Sequence, residues 1–390
     1  MGADAAARLR YAGGALNHVG RSESSMRVLQ VMAPARAGGL ESVVVELTSG
    51  LRRRSHDVQV AAVLAPGTEQ GHPVVQALLE RDVPVHVLVL GTRDYLGERR
   101  AVRDLLRSLD AQVLHTHGYR ADAVLGDVAR RDKRANVITL HGFVGGSRRG
   151  RFYEWLQVQA ACYASGVVAV STPIVQRLQS HGITRNVHLL RNAVAPAANA
   201  LSRAQAREAL RLPAEAVLVG WVGRVSHEKG PDFFVEALSR TDPVVHGVMI
   251  GDGPELEASR RRAQQLGMAD RMHFCGMVPG ASRFLAAFDA VALTSRTEGT
   301  PMILLETMWA HIPIVATAVG GVPDVLSARE AALCAPGDVQ AIANAISDVV
   351  MQPAEAAARA AAANARLASE YAFESWLDKH EALYRRVIGR

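Results

Sequence analysis

Two cations in the second half of the sequence have the types and spacing expected of a phosphate site. Arg224 and Lys229 lie in the stretch Gly223-Arg-Val-Ser-His-Glu-Lys-Gly230, which follows an apolar run and precedes Pro231. Lys229 is one of only three lysines in the chain. Proline suits the first turn of a helix, and helix N-termini attract anions. The stretch therefore predicts an anion site, and a solvated turn with two ordinary surface cations is the equal alternative.

A second loop brings two acids to another helix start. The stretch Glu298-Gly-Thr-Pro-Met-Ile-Leu-Leu-Glu306 follows a further apolar run. We expect Thr300 to cap the helix and Pro301 to occupy its first position, so that the N–H groups of Met302 and Ile303 can meet an oxyanion. The alternative is an acid in the first turn that favours the helix dipole, with a second acid placed further along by chance.

Glycines punctuate several other strand ends and let a ligand approach the backbone. They are Gly38-Gly39, Gly251-Asp-Gly253, Gly299 and Gly320-Gly321. The motif Gly251-Asp-Gly253 lacks the third glycine of a dinucleotide fingerprint, and no P-loop pattern occurs. A nicotinamide enzyme or an NTPase is therefore only weakly supported. No Asp-x-Asp pair is present to clamp a divalent ion. We therefore expect no metal and no cofactor.

Three histidines also follow predicted strands. His115 and His117 belong to Leu-His-Thr-His-Gly, and His141 belongs to Thr-Leu-His-Gly. A histidine beside glycine is commonly a turn residue. Because two such positions occur at one sheet edge, a functional role is as strongly indicated as a turn role. A His-x-His pair could also ligate a metal, although the sequence identifies no third ligand.

Predicted strands and helices flank these loops and determine where the loops lie in the fold. Apolar runs alternate with helical patterns in both halves, which predicts an α/β protein of two doubly wound, Rossmann-like domains. Ligands of such sheets bind beyond the carboxyl ends of the strands. The predicted strands are residues 27–32, 58–64, 85–90, 113–116, 136–140 and 166–171, then 217–222, 245–250, 272–275, 290–294, 314–316 and 332–334.

The same pattern sets the predicted domain boundaries. The first 25 residues lack the apolar core of a secretion signal. A stretch rich in Ala, Asn and Pro separates the two halves and reads as a linker. The prediction is a flexible extension at 1–25, a first domain at 26–195, a linker at 196–205, a second domain at 206–370 and a final helix at 371–390.

Composition limits the class of protein. With 49% hydrophobic and 21% charged residues among 390, the chain is an ordinary globular protein, which excludes a wholly disordered or collagen-like chain. Its three cysteines are widely spaced, so neither a disulfide framework nor a zinc site is indicated, and a reducing cytoplasm fits. No apolar run is long enough to span a membrane.

Basic clusters are concentrated in the first half, at residues 52–54, 130–134 and 148–151. Such clusters suit an anionic partner, which could be lipid headgroups, a phosphorylated acceptor or nucleic acid. Nucleic acid is the least favoured of the three, because aromatic residues make up only 5% of the chain and base stacking needs more. A solvated basic surface is the alternative to all three.

Taken in order, these motifs resemble those of the family 4 glycosyltransferases of GT-B architecture over residues 26–390. The sharpest match is the glutamate pair of Glu298-Gly-Thr-Pro-Met-Ile-Leu-Leu-Glu306, and the next is the Gly-Arg…Lys-Gly element that ends at Gly230. The weaker elements match in the expected order: Gly38-Gly39, His141-Gly142, Gly251-Asp-Gly253 and Gly320-Gly321-Val-Pro.

The resemblance implies retaining transfer of a sugar from a UDP- or GDP-sugar to a hydroxyl of a glycan, lipid-linked or small-molecule acceptor. The second domain would hold the donor and the first the acceptor, across a cleft, with the final helix crossing back to the first domain. Family members that build bacterial cell-surface polysaccharides and glycolipids imply a cytoplasmic enzyme, peripheral at the inner face of the cell membrane. Neither a metal nor a cofactor is implied.

The resemblance also assigns roles. Arg224 and Lys229 would neutralise the donor diphosphate, Glu298 would orient the sugar and His141 would contact it, so these four are the expected catalytic residues. Glu306 would bind the ribose. The expected donor-binding residues are Gly38, Gly39, Gly223, Arg224, Lys229, Gly251, Gly253, Met277, Val278, Glu298, Gly299, Thr300, Pro301, Met302, Ile303 and Glu306.

Three alternatives stay open from sequence. Retention can proceed by same-face substitution, which we favour because both glutamates are assigned to the donor, or through a covalent adduct. A sugar-nucleotide epimerase has the same architecture, and fold does not decide function. A catalytically silent sugar-nucleotide scaffold would keep every phosphate-binding feature.

Overall fold

The chain is described by a computed structural model that covers residues 8–12, 25–35, 38–91, 93–142, 148–195 and 199–389. Only the backbone is described for residues 8–12 and 148–150. Parts of the predicted extension, 1–7 and 13–24, and of the predicted linker, 196–198, lie outside the described residues. The chain divides into two compact units, Met1–Asn192 with Glu374–Arg390, and Ala193–Phe373.

The first unit is built on a sheet in the order β1-β4-β3-β2-β5-β6-β7-β8. Strands β2 to β8 run parallel, and β1 pairs antiparallel with β4 at one edge. The strands are β1 Arg8–Ala12, β2 Arg27–Met32, β3 Asp57–Leu64, β4 Val85–Val89, β5 Val113–His117, β6 Ala135–Leu140, β7 Gly166–Ala169 and β8 Val187–Leu189.

Helices cover both faces of this sheet because successive strand residues point to opposite sides. Leu29 and Val31 pack in one core with residues of α3 and α4, whereas Met32 packs in another with residues of α1 and α2. The helices are α1 Gly39–Arg53, α2 Pro73–Leu79, α3 Tyr95–Ser108, α4 Tyr119–Leu125, α5 Val128–Arg131, α6 Arg148–Cys162 and α7 Thr172–Ser180.

The second unit is built on a fully parallel sheet in the order β11-β10-β9-β12-β13-β14. Its strands are β9 Val217–Val222, β10 Val245–Ile250, β11 Met272–Gly276, β12 Ala290–Leu293, β13 Ile314–Thr317 and β14 Ala332–Cys334. Its helices are α8 Arg203–Ala209, α9 Pro231–Leu238, α10 Leu256–Gln265, α11 Met302–Trp309, α12 Val322–Val325, α13 Val339–Met351 and α14 Pro353–Glu370, with 3-10 turns at His227–Lys229 and Ala281–Ala287.

The last helix, α15 Phe373–Ile388, returns to the first unit. Arg54, at the end of α1, bonds the α15 carboxylates of Asp378 at 2.7 Å and Glu381 at 3.0 Å. Tyr384, on the same helix, is fully buried. Ion pairs with Arg54 therefore fix the outer face of α15, and the buried Tyr384 side chain fixes its inner face.

Three sequence predictions need correction. Arg8–Ala12, placed in the flexible extension, is a strand, because β4 offers it a free edge; its five residues are too few to show a strand pattern. The short strand Val187–Leu189 was not predicted. Residues 203–205, placed in the linker, begin α8, because Ser202 and Gln205 form a capping box.

Both sheets have a switch point, where the chain leaves two adjacent strands in opposite directions. In the first unit it lies between β2 and β5, and in the second between β9 and β12. Ligands of doubly wound sheets bind at the carboxyl ends of the strands beside such points. The loops after these four strands are therefore the first places to search for a site.

Candidate functional site

The loops after β9 and β12 meet at the switch point of the second unit. Lys229 Nζ bonds both carboxylate oxygens of Glu298, at 2.8 and 2.7 Å. The hydroxyl of Ser295 donates to the same carboxylate at 2.6 Å. The Glu298 side chain is only 4% exposed, and that of Lys229 is 30% exposed. Two residues that the sequence predicts separately therefore form one ion pair.

Gly230 allows the two loops to approach this closely. Its φ of +60° is left-handed, and a Cβ there would overlap the backbone carbonyl of Thr294. Thr294 Oγ1 donates to the Gly230 carbonyl at 2.7 Å, which locks the loops together. Helix α9 then begins at Pro231, as the sequence predicts.

Arg224 lies at the outer side of the same loop. It is paired with Glu228, and 54% of its side chain is exposed. A guanidinium in this position is free to change partner, because exposed ion pairs contribute little stability.

The loop before α11 departs from the prediction in one detail. The residue that precedes the helix is Pro301, with β-region angles, and no side chain caps the helix. Thr300 is therefore not the N-cap, and Met302 is the first helical residue. The reason is that Pro301 itself has a ψ of 119°, outside the helical range, so Pro301 takes the position before the helix that the sequence assigns to Thr300. The N–H groups of Met302 and Ile303 still have no acceptor within the helix, as expected of the first residues of a helix.

Two further loops pack against this centre. Gly251 and Gly253 follow β10, and a Cβ at either would overlap the backbone of Gly223 or Val225. Gly320 follows β13 with φ +53°, and a Cβ there would overlap the carbonyl of Glu298. These glycines serve backbone contacts between loops, so their role in the structure is packing.

The remaining predicted donor residues lie around the same edge. Glu306 is partly buried in the second turn of α11, and Gly299 is partly buried in the loop before it. Met277 and Val278, in the loop after β11, are partly buried too. All of them follow strands of the second sheet.

In the first unit, Gly38 and Gly39 start helix α1 after β2. The backbone of Gly38 is extended, so its torsion angles require no glycine. A Cβ at Gly38 would instead overlap the carboxylate of Glu41, which accepts the N–H of Ala35 at 2.8 Å. A side chain at position 38 would therefore displace the end of the Glu41 side chain and not the backbone, so glycine is favoured at this turn but not required by it.

The two histidines of β5, His115 and His117, lie close to His141, which follows β6. His117 Nδ1 lies 3.1 Å from His141 Nε2. His115 bonds Tyr384 of α15 at 2.7 Å. Burial, followed by the charge of His380, lowers the pKa of His141 to about 3. Burial lowers the pKa of His380 to about 4, and holds those of His115 and His117 well below their ordinary value.

Two family models match the chain. The model described as Glycosyltransferase Family 4 matches residues 37–198, and the one described as Glycosyl transferases group 1 matches residues 202–367. Together they span both units. The chain belongs to the family 4 glycosyltransferases. The fold class predicted from the sequence, two Rossmann-like α/β domains of GT-B type with a returning C-terminal helix, is confirmed.

Named relatives support the same family. A 2-deoxystreptamine N-acetyl-D-glucosaminyltransferase of Streptomyces fradiae is 33% identical over 201 residues, 49% of this chain and 48% of the relative. A D-inositol 3-phosphate glycosyltransferase of Mycolicibacterium paratuberculosis is 31% identical over 195 residues, 48% and 44% of the two chains. These matches span about half the length of the relatives.

The fold is shared with solved structures. A crystal structure of HepE from Anabaena in complex with UDP-glucose superposes with a TM-score of 0.79 at 22% identity, over 92% of this chain and 98% of that chain.

Arg296 is a residue of this family 4 glycosyltransferase that the sequence analysis missed. Its guanidinium bonds Asp232 at 2.8 and 2.6 Å and the His227 carbonyl at 2.9 Å, and it lies 3.8 Å from the centre of the Phe233 ring. Arg296 therefore ties the loop after β12 to the loop after β9. Its position next to the Glu298 motif was the only available signal.

Within the described residues, no group of three or more His, Cys, Asp or Glu side chains is arranged to hold a metal ion. No helix in the described part of this glycosyltransferase has the combined length and apolarity that a membrane crossing needs.

Proposed function

We propose that this family 4 glycosyltransferase transfers a sugar, with retention of configuration, from a UDP- or GDP-sugar to a hydroxyl of an acceptor. The observation that carries the proposal is the meeting of Lys229, Glu298 and the N-terminus of α11 at the switch point of the second sheet. A cation and a helix N-terminus suit a diphosphate, and a buried carboxylate suits sugar hydroxyls.

The charges fit the reaction. As the bond between the sugar carbon and the diphosphate breaks, negative charge grows on the departing nucleoside diphosphate, and Lys229 and Arg224 can stabilise it. The acceptor oxygen forms the new bond on the same face, and its proton passes to a donor phosphate oxygen. A glycosyl group trapped covalently on any carboxylate of the protein would overturn this route.

The names of the relatives guide the choice of substrates. HepE was crystallised with UDP-glucose, which makes UDP-sugars the first donors to test. 2-Deoxystreptamine and D-inositol 3-phosphate, which occur in the names of two relatives, are both cyclohexane polyols. We therefore infer a hydroxyl-rich small molecule as the first acceptor to test, ahead of glycan and lipid-linked acceptors.

The test is a panel of UDP-, GDP-, ADP- and dTDP-sugars, measured by thermal stabilisation and then by turnover with each acceptor class, with and without EDTA. A donor at about 100 times its Kd adds roughly 2.7 kcal/mol to the free energy of unfolding. We expect one donor to bind and turn over despite EDTA. Binding without turnover favours a scaffold, and donor interconversion without acceptor favours an epimerase.

We further propose that the first unit docks on an anionic membrane surface at the cytoplasmic side. Helix α6 exposes Phe152 (55%) and Trp155 (52%), whose ring centres lie 6.0 Å apart. Tyr163 is 62% exposed, with Arg130 5.5 Å from its ring centre. Exposed aromatic side chains beside arginines suit the interface of an anionic bilayer.

Sedimentation with vesicles tests this docking. Binding should increase with the fraction of anionic lipid and decrease with salt, and the double variant F152S/W155S should bind at least about tenfold more weakly. Met351→Ser is the matched control, because Met351 is an exposed apolar residue of the second unit (74%). Equal loss in both variants, or binding that ignores lipid charge, would refute the docking.

A further inference from the structure

The loops after β9 and β12, which carry Lys229 and Glu298, are joined at two further points. On the buried side, Trp221 Nε1 donates to Thr294 Oγ1 at 3.1 Å, and Thr294 Oγ1 donates to the Gly230 carbonyl at 2.7 Å. Both donor side chains are buried, at 2% and 1% exposure. This inner contact fixes the end of the first loop, where α9 begins.

The outer contact is made by Arg296, in the loop after β12. One terminal nitrogen of its guanidinium donates to the His227 carbonyl at 2.9 Å and to Asp232 Oδ1 at 2.8 Å, and the other donates to Asp232 Oδ2 at 2.6 Å. The backbone N–H of Arg296 donates to the Glu228 carbonyl at 2.8 Å. Arg296 therefore contacts the loop after β9 on both sides of Lys229.

This set of contacts requires an arginine. The guanidinium meets the Asp232 carboxylate with two parallel hydrogen bonds, the geometry that a planar fork provides. Its central carbon also lies 3.8 Å from the centre of the Phe233 ring. A lysine has a single nitrogen and cannot reach the carboxylate, the carbonyl and the ring together. Because Asp232 neutralises its charge, Arg296 is poorly suited to hold a phosphate itself.

The two contacts hold the backbone of the loop and leave the Lys229 side chain able to change partner. The backbone N–H of Lys229 bonds the Ser226 carbonyl at 2.9 Å, within its own loop, and its ammonium group bonds Glu298. A diphosphate that takes the ammonium group from Glu298 would move this side chain and not the backbone. A site whose donors are already in place does not have to reorganise as charge develops in the transition state.

We propose that Arg296 and Asp232 are positioning residues for Lys229. They hold its loop against the loop after β12, so that the ammonium group meets the donor diphosphate without movement of the backbone. Neither residue touches the substrate. This inference rests on the proposed function and adds to it two residues that act through Lys229. The alternative is that Arg296 binds phosphate directly as a third cation, and kinetics distinguish the two roles.

The variants Arg296→Lys and Asp232→Asn should each lower kcat by about tenfold to 100-fold, with a smaller change in the KM for the donor, because a misplaced ammonium group stabilises the departing diphosphate less well. The double variant should be no slower than the slower single variant, since both substitutions break one contact. An arginine that bound phosphate directly would instead be released by Asp232→Asn, and donor affinity would rise. That rise, additive losses or an unchanged kcat would overturn the proposal.

Arg262 provides a matched control. It lies on α10 and pairs with Glu236 of α9 at 2.8 Å, so this ion pair reaches the same helix as that of Arg296 but joins two helices. Arg262→Gln should leave kcat and KM unchanged, and urea unfolding of each variant measures any general loss of stability. A loss of kcat in Arg262→Gln equal to that in Arg296→Lys would show that any weaker attachment of α9 slows turnover, and would refute the positioning role.

The placement of Lys229 can be measured without substrate. The chain contains only three lysines, so protein labelled with 13C at lysine Cε gives three signals, and that of Lys229 is the one lost in Lys229→Ala. Its two ε protons should be inequivalent, because Glu298 holds the ammonium group. Asp232→Asn and Arg296→Gln should make them more alike, whereas Arg262→Gln should not.

An unchanged lysine signal in both variants of the outer contact would overturn the proposal, whatever the kinetics. A failed proposed function would show itself differently. The Lys229 signal would then respond to Asp232→Asn and Arg296→Gln as expected, but no sugar nucleotide would bind or turn over.

Discussion

At the scale of single residues, the central feature is that Lys229 and Glu298 satisfy each other. A diphosphate that approaches Lys229 must compete with the Glu298 carboxylate, which the ammonium group contacts at 2.7 and 2.8 Å. Donor binding would therefore loosen the hold of Lys229 on Glu298. The carboxylate could then turn to the sugar, and only Ser295 would still donate to it among the contacts described above.

This pairing predicts a stability effect that is separate from catalysis. Lys229→Ala leaves a carboxylate that is 4% exposed without its cation, so the free energy of unfolding should fall by about 1–3 kcal/mol. Turnover should be abolished. Adding Glu298→Gln should restore part of the stability and none of the activity, as measured by urea unfolding and product formation.

Lys379→Ala is the control, because Lys379 is an exposed lysine on α15. It should change neither quantity by a measurable amount. If Lys229→Ala unfolds at the same urea concentration as the control, the ion pair contributes nothing and the account of Glu298 fails.

The residues of this pair could be found by sequence, but their contact could not. Their loops are separated by 69 positions, and a motif does not say which side chains face each other. The hydrogen bond between His115 and Tyr384 could not be predicted from the sequence either, because the two residues lie 269 positions apart. The packing of helix α15 brings these two residues together, and no local sequence pattern predicts that packing.

At the scale of elements, glycines hold the strand-end loops in contact. Gly320 and Gly267 both have positive φ, +53° and +68°, but only Gly320 lies against another loop. A Cβ at Gly320 would overlap the Glu298 carbonyl, whereas nothing lies within 4 Å of one at Gly267. Substitutions at these two positions therefore distinguish the cost of backbone strain, which both share, from the cost of disturbing the loop contact, which arises only at Gly320.

We expect Gly267→Ala to lower the free energy of unfolding by about 1 kcal/mol, the cost of a left-handed alanine. Gly320→Ala should cost about 1–3 kcal/mol more, because the loop that carries Glu298 must move. Donor affinity should fall only in Gly320→Ala. Equal effects on unfolding and on donor binding in the two variants would contradict the packing argument.

Most strands could be predicted because buried parallel strands are continuous apolar runs. The missed elements are the short strands at the two edges of the first sheet, Arg8–Ala12 and Val187–Leu189. Their partners, rather than their own composition, make them strands. The start of α11 was misplaced by one residue, since Pro301 has β-region angles and lies before the helix instead of occupying its first position.

At the scale of the whole molecule, buried titratable groups of the first unit should govern its response to pH. His141 and His380 have a pKa of about 3 and about 4 when folded, below the ordinary histidine value of about 6.5. Below that value the unfolded chain takes up protons that the folded chain refuses. Stability is therefore lost as the pH falls from about 6.5.

Between pH 7.5 and pH 5.5 each of these histidines should cost about 1.4 kcal/mol in the free energy of unfolding. Asp122 acts in the opposite direction, because burial raises its pKa to about 7 and its folded form gains a proton over this range. Urea unfolding at both pH values measures the difference. His380→Phe should shrink it by about 1.4 kcal/mol, and Asp122→Asn should enlarge it.

His311→Asn serves as the control, because His311 is exposed and its positive φ of 56° suits asparagine. It should leave the pH dependence as it is. A His380→Phe variant with the same pH dependence as this control would show that folding does not lower the pKa of His380.

The return of α15 to the first unit has a consequence for how the protein is made. Residues 374–389, which bring Tyr384 into the first unit and three acids to Arg54, follow the whole of the second unit in the chain. On the ribosome, the second unit can fold while the first still lacks its last helix. The half that is translated first is therefore the half that is completed last, and Tyr384 reaches its buried position only after the second unit has been made.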